Sequence, residues 1–195
     1  MEIGITLIRN GMTKAGREGR YIGITDESLC DEGIQHLEAK KQAGCYPEVK
    51  RLYASGTVRC IDTAKLLYDG RFVVLAKGLS PYDYGDIEGK TYDDIQHAQS
   101  FADWTLGKED RLPGADSPYP AKYAAIAAFE RIMLECSEKN VNSVAIVTYR
   151  SVILSILRER CTPQWAYNHI VVGYGGGVTL ACDICAKSLY VENIF

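Results

Sequence analysis

The sequence predicts an α/β protein: a three-layer α/β/α sandwich around a mainly parallel central sheet. Three observations carry that prediction. Short apolar runs alternate with helical segments along the chain, the pattern of βαβ units. The first run, Ile3–Ile8, is apolar on both faces except for Thr6, as a strand covered on both sides must be. Arginines stand at or just beyond the ends of three runs, where open α/β sheets place their ligands.

The elements follow in order. After Ile3–Ile8 comes a polar, glycine-containing loop, Gly11 to Asp26. A helix is expected over 31–43, with Ile34 and Leu37 on one face. Asp31 and Glu32 lie in its first turn, where the helix dipole favours acids, and Gly44 and Pro47 end it. Arg51–Ser55 reads as a short strand. Thr57 can cap a helix to about Tyr68, in which Ile61, Ala64, Leu67 and Tyr68 give the helical period. Phe72–Leu75 reads as another buried strand. Thr91 opens a helix with Asp94 three residues on, an acid variant of the capping box. The stretch from Gly107 to Pro120 is charged and proline-containing and reads as an exposed loop. A long helix is expected from about Tyr119 to Lys139, with Tyr123, Ile126, Phe129, Ile132 and Met133 as its buried stripe. Val144–Thr148 is a strand, Val152–Glu159 a helix, and Val178–Cys182 and Ser188–Glu192 are closing strands. No repeat or linker divides the chain, so residues 1–195 are expected to form one domain, with an inserted cap over about 90–120.

Composition narrows the function classes. The chain has 195 residues, 47% hydrophobic and 24% charged, ordinary values for a soluble domain. No run approaches the roughly 18 apolar residues of a membrane span, and the N-terminus lacks the features of a signal peptide. A cytoplasmic protein is expected, with no membrane partner. The net charge of -3 and the absence of a basic block argue against a nucleic-acid partner. The seven cysteines are expected as reduced thiols. Cys45 and Arg51 have the C-x5-R spacing of cysteine phosphatases, but no intervening glycine could aim N–H groups inward. Cys182 and Cys185 form a single CxxC without the second pair that a zinc site needs. Both spacings are read as chance, and no metal or cofactor is expected.

The arginines are more informative. Arg9 ends the first strand, Arg59 lies near the start of the helix after the second, and Arg150 starts the helix after Val144–Thr148. A cation at a helix N-terminus is unfavourable by about 0.3–1 kcal/mol unless an anion is near. Free N–H groups there also bind phosphate. Three arginines at equivalent topological places therefore point to a phosphate or carboxylate site. The competing reading pairs each with a local acid, such as Arg59 with Asp62. None of the three histidines, His36, His97 and His169, stands at a strand end.

Several stretches, in order, resemble motifs of the histidine phosphatase superfamily, the phosphoglycerate mutase-like group that includes α-ribazole phosphatases. LIRNGMT at 7–13 resembles L-x-R-H-G-x-T, and RYIGITDESLCDEG at 20–33 resembles R-x-x-G-x-x-D-x-P-L-T-x-x-G. YASGTVRCIDTAKLL at 53–67 resembles S-x-x-x-R-x-x-Q-T-A, and YGDIEG at 84–89 resembles F-G-x-W-E-G. PGADS at 113–117 resembles P-G-G-E-S, and VAIVTYR at 144–150 resembles V-x-x-V-T-H-G.

The resemblance implies a phosphoglycerate mutase-like fold and a covalent mechanism. A histidine after the first strand takes the phosphoryl group, arginines and a second histidine hold its oxygens, and a carboxylate protonates the leaving group. Here Asn10 stands at the nucleophile, Tyr149 at the second histidine, Arg150 at the glycine after it, and Pro81 at the acid. Gly16 stands where an asparagine is common. An amide nitrogen cannot accept a phosphoryl group as imidazole does, because its lone pair is delocalised. The expectation is thus a pseudophosphatase with no assigned catalytic residue. Arg9, Asn10, Arg59, Tyr149 and Arg150 would line a pocket for a phosphate-containing or other anionic small molecule. Asp83 and Glu88 are candidates for a displaced acid. Two alternatives stay open: a working phosphomonoesterase of atypical mechanism, and an interaction module with a vestigial pocket. A homodimer is the assembly that such folds commonly adopt.

Overall fold

The computed structural model describes residues 2–162, 170–183 and 188–195. His169 and Cys185 lie outside the described residues. The strands are β1 (Glu2–Arg9), β2 (Arg51–Ala54), β3 (Val73–Leu75), β4 (Ser143–Thr148), β5 (Gly177–Asp183) and β6 (Ser188–Ile194). The helices are α1 (Lys14–Arg17), α2 (Asp31–Gln42), α3 (Val58–Leu67), α4 (Tyr92–Ile95), α5 (Gln99–Thr105), α6 (Pro118–Glu138) and α7 (Arg150–Arg160).

One six-stranded sheet runs in the order β3-β2-β4-β1-β5-β6. The pairs β2–β3, β2–β4 and β1–β4 are parallel, whereas β5 and β6 add antiparallel pairs at one side. The chain steps from β1 outward to β2 and β3, then returns to place β4 between β2 and β1. Right-handed crossovers in these opposite directions put α2 and α3 on one face and α6 and α7 on the other. Contacts agree, α2 packing on α3 and α6 on α7. The middle of the sheet is dry: Ile3, Leu7, Ile8, Val144, Ala145, Ile146 and Val147 are fully buried. Two covered faces explain the near-continuous apolar runs of β1 and β4.

Local chemistry sets the helix ends. α2 carries Asp31 and Glu32 in its first turn and Lys40 and Lys41 in its last, both suited to the dipole. α4 has the full reciprocal capping box between Thr91 and Asp94. α6 starts at Ser117 with Pro118 at its first position, where a missing N–H costs nothing.

Three expectations change. β3 is not a buried strand but the outermost one. Phe72 lies before it and is 84% exposed, because no further strand covers that edge. The buried stripe of α6 is Ala125, Ile126, Ala128, Phe129, Ile132 and Cys136. Tyr123 is 60% exposed and Met133 only half-buried. Tyr123 precedes Ile132 by two and a half turns, which puts it on the opposite side of the helix. Third, Thr57 occupies the N-cap position of α3 without making the capping bond. Asp26 caps instead, its carboxylate accepting the Val58 N–H at 2.7 Å.

A second small cluster, Ile87, Ile95, Phe101 and Leu112, packs with Tyr21, Tyr84 and Trp104 beside the sheet. It joins the 20–24 loop to α4, α5 and the segment that follows. At the start of β2, Arg51 and Tyr53 both bond Glu135 of α6, at 2.6 and 2.9 Å. Arg51 thus stands at the opposite end of its strand from the C-terminal edge of the sheet and is engaged there. No helix among the described residues is long and apolar enough to cross a membrane.

Lys139, followed by the Tyr53 hydroxyl and Arg51, holds the Glu135 carboxyl down to about 2. A carboxyl lowered on folding stabilises above its ordinary value near 4.5, and that contribution fades as pH falls from there towards 2. Glu135→Gln should therefore lower the urea midpoint at pH 7, and the difference from the parent chain should vanish near pH 2. A difference that persists unchanged at low pH would show that charge is not what Glu135 contributes.

Candidate active site

β1 and β4 are neighbours in the sheet, and the helices that follow them pack on opposite faces. Their carboxyl ends therefore part around a crevice, the switch point at which open α/β sheets bind ligands. The register places Arg9 opposite Thr148, so Asn10 and Tyr149 are the next residues on the two strands. The Asn10 N–H donates to the Thr148 carbonyl at 2.9 Å and holds the two loops together. The loop is also tied to α3. The Gly11 N–H donates to the Thr63 hydroxyl at 2.8 Å, and that hydroxyl donates to the Arg59 carbonyl at 2.6 Å.

A cleft of about 440 Å³ opens at this crevice. Arg9, Asn10, Arg59, Pro81, Tyr149 and Arg150 all line it, so the structure gathers the sequence-predicted site residues in one place. Among the described residues five arginines line the cleft, adding Arg20 and Arg158, and the lining contains no Asp, Glu or His. Five tyrosines (21, 82, 84, 149 and 174) and Trp104 among the described residues give the cleft an aromatic wall. A chain of net charge -3 has thus concentrated cations here.

The arginines are not equivalent. Arg59 is only 3% exposed, and its guanidinium donates to the carbonyls of Gly23 and Thr25. Its acidic neighbour is Asp26, at 3.4 Å, rather than Asp62. Arg59 also lies over the Tyr149 ring, 5.0 Å from its centroid. It therefore braces the 23–26 loop, with few donors left to face the cleft. Arg9 donates to the Val172 carbonyl at 2.8 Å, and its guanidinium stacks 3.7 Å from the centre of the Tyr174 ring. Burial pushes the Arg9 guanidinium down from its usual range. Tyr174 opposes that shift, and the charge of Arg150 adds to it. Arg150 is exposed at the first position of α7.

Asn10 is buried, and its amide Nδ2 donates to the Gly11 carbonyl at 2.8 Å. Tyr149 is buried as well, and its hydroxyl shares a 2.8 Å hydrogen bond with Thr57. That contact explains why Thr57 does not cap α3. Burial raises the Tyr149 phenol well above its ordinary value, so it stays protonated at neutral pH. Tyr149 therefore packs into the wall and leaves the cleft open.

Neither candidate for a displaced acid faces the cleft. Asp83 accepts the N–H groups of Gly85 and Asp116, at 2.8 and 3.0 Å. Glu88 accepts those of Gly23 and Thr25, at 2.8 and 2.9 Å. The 23–25 loop is thus clasped by Glu88 through its N–H groups and by Arg59 through its carbonyls. Gly23 permits this approach, since a Cβ there would lie 1.8 Å from the Tyr82 carbonyl oxygen. His36 and His97 are exposed on the surface away from the cleft. No group of three His, Cys, Asp or Glu side chains among the described residues could hold a metal ion.

Sequence reasoning missed the aromatic wall and Arg158. Tyr174 is the clearest case: its hydroxyl occupies the space beside Gly16, where an added Cβ would meet it at 2.4 Å. A composition with 13 tyrosines was the available signal, together with the spacing of Ser151, Leu154, Ser155 and Arg158 along one helix face.

The arrangement defines a phosphoglycerate mutase-like α/β sandwich with a crevice at the β1–β4 switch point. The chain belongs to the histidine phosphatase superfamily (branch 1), whose family model matches residues 5–183. It is 26% identical over 184 residues to the adenosylcobalamin/α-ribazole phosphatase of Salmonella typhimurium, covering 92% of this chain and 89% of that protein. The fold is shared with the phosphoglycerate mutase of Bacillus anthracis, at a TM-score of 0.84 and 17% identity, over 98% of this chain and 92% of that one. It is also shared with the α-ribazole phosphatase of Shigella flexneri, at a TM-score of 0.79 and 20% identity, over 98% and 96%.

Arg59 and Arg150 should respond in opposite ways to neutral replacement. Arg59→Met leaves the buried Gly23 carbonyl unpaired, at about 1–3 kcal/mol, together with the part-buried Thr25 carbonyl, and should lower the Tm. Arg150→Met removes a cation from a helix N-terminus and should leave the anion-free Tm unchanged or raised, by about 0.3–1 kcal/mol of stability. Thermal unfolding in a buffer without phosphate or sulfate measures both. A large loss for Arg150→Met would assign it a structural role.

Proposed function

We propose that this chain is a pseudophosphatase that holds a phosphate-containing anion between Arg9 and Arg150 without turning it over. The observation that carries the reading is the site of Asn10. At the end of β1, beside two cations with open donors, the chain presents an amide turned onto its own backbone. Transfer of a phosphoryl group to the protein needs a nucleophile with an available lone pair and a proton source for the leaving oxygen. Among the described residues the cleft lining offers hydroxyls at Thr13, Ser151, Ser155 and five tyrosines, but no imidazole or carboxylate to activate them. Pro81 cannot donate a proton, and Asp83 and Glu88 lie outside the cleft lining, Asp83 with both oxygens and Glu88 with Oε1 accepting backbone N–H groups.

Holding an anion asks less. Arg9 and Arg150 repel one another with no carboxylate between them, so a phosphate would relieve both the repulsion and the dipole penalty at α7. The N–H groups of the first turn of α7 would add donors. Arg59 and Tyr149 form the wall behind this position, and the second N–H of Asn10 is available to an oxygen.

One observation favours a second reading, a working phosphomonoesterase: the 26% identity to a phosphatase over most of the chain. Two measurements separate the readings. Inorganic phosphate should raise the Tm in a dose-dependent manner, by about 2.7 kcal/mol of stability at a hundred times Kd, and Arg9→Ala or Arg150→Ala should abolish the effect. Turnover of p-nitrophenyl phosphate should remain at the buffer rate. Turnover that Arg9→Ala abolishes would establish the second reading. No stabilisation at millimolar phosphate would remove the anion-holding one and leave a vestigial pocket.

A further inference from the structure

The cleft extends past the position between Arg9 and Arg150, and α7 forms one of its walls. Ser151, Leu154, Ser155 and Arg158 recur at three- and four-residue intervals and all face it. The charges at the end of α7 are sorted by direction. Glu159 pairs with Lys122 and Arg160 with Glu130, both across the contact with α6. Arg158 faces the cleft, where the lining contains no carboxylate. It is exposed, and no ion pair within the described residues involves it. Arg150 and Arg158 are eight residues apart, which is roughly 12 Å along a helix axis. Between them, Tyr82 bonds Ser155 at 3.2 Å, while the Ser155 hydroxyl donates back to the Ser151 carbonyl at 2.9 Å. The surface joining the two cations includes Leu154 and the Tyr82 ring, with the Tyr82 and Ser155 hydroxyls already paired to one another.

We propose that Arg158 forms a second anion subsite, and that the ligand is a small molecule with two anionic ends and a planar or apolar middle. One end is a phosphate between Arg9 and Arg150. The other, a phosphate or carboxylate, reaches Arg158. The middle lies along Leu154 and Tyr82. This inference rests on the anion-holding reading of the cleft and adds a length requirement to it. A single phosphate leaves Arg158 unused, whereas a molecule of the right span engages both cations with only one loss of translational freedom.

The test uses a series of α,ω-alkane bisphosphonates of increasing chain length, each compared with the monophosphonate of the same chain, with Kd measured by calorimetry. One or two adjacent lengths should bind at least about tenfold more tightly than their monophosphonates. Arg158→Gln should remove that advantage while leaving monophosphonate affinity and anion-free Tm unchanged, since Arg158 is exposed and makes no ion pair among the described residues. Arg150→Ala should weaken both series. Equal affinity of mono- and bisphosphonates at every length overturns the second subsite and leaves the first intact. So does a length optimum that survives Arg158→Gln. Failure of every phosphonate, and of inorganic phosphate, removes both readings together.

Discussion

The parallel pairing of β1 with β4 is the constraint on which the rest of the site depends. Six registered residue pairs run along it, from Gly4–Ser143 to Arg9–Thr148. It buries the most apolar strands of the chain side by side and brings their carboxyl ends level. Because α2 and α7 then pack on opposite faces, the backbone opens at that level and nowhere else between these strands. Arg9, Asn10, Tyr149 and Arg150 meet there because strand register leaves them no other place. A slip of one residue would exchange the faces of every side chain in β1 or β4, and the dry core on both faces forbids it.

Around that crevice the chain divides its arginines into two kinds of work. Arg59 is spent on structure: with Glu88 it clasps the loop at 23–25, one through carbonyls and the other through N–H groups. Arg9 and Arg150 line the cleft, and among the described residues no acid in its lining neutralises them. A fold that leaves cations uncompensated in a half-enclosed, aromatic-walled site holds an electrostatic imbalance that an anion can remove. The same accounting explains Tyr149. In the motif that this stretch resembles, a histidine stands at that position. Here a phenol packs against Thr57 and under Arg59, filling the wall without closing the cleft.

Much of the fold is legible in the sequence because it is written in local chemistry. The apolar runs of β1 and β4, the acids at the start of α2 and the Thr91–Asp94 box are each read within a few residues and found in place. The misreadings share a cause, which is dependence on distant neighbours. Phe72 looks like core until the sheet order puts β3 at an edge. Thr57 looks like a cap until Tyr149, 92 residues away, takes its hydroxyl and Asp26 takes the helix. Tyr174 leaves no local signal at all, since its place over Arg9 depends on space that Gly16 leaves in another loop.

By itself, the sequence determined the α/β alternation, Asn10 and Tyr149 within stretches that resemble histidine-bearing motifs, and three arginines near strand ends. These are properties of residue identity and short-range order, and no folding is needed to read them. Only the tertiary structure decided which arginine is committed to the scaffold and which faces the cleft. Only the tertiary structure turned Asp83 and Glu88 onto backbone N–H groups outside the cleft lining, and brought Arg158 into the same wall as Arg150. Whether a charged group is available depends on which partners reach it through space, and in this chain those partners lie tens of residues away.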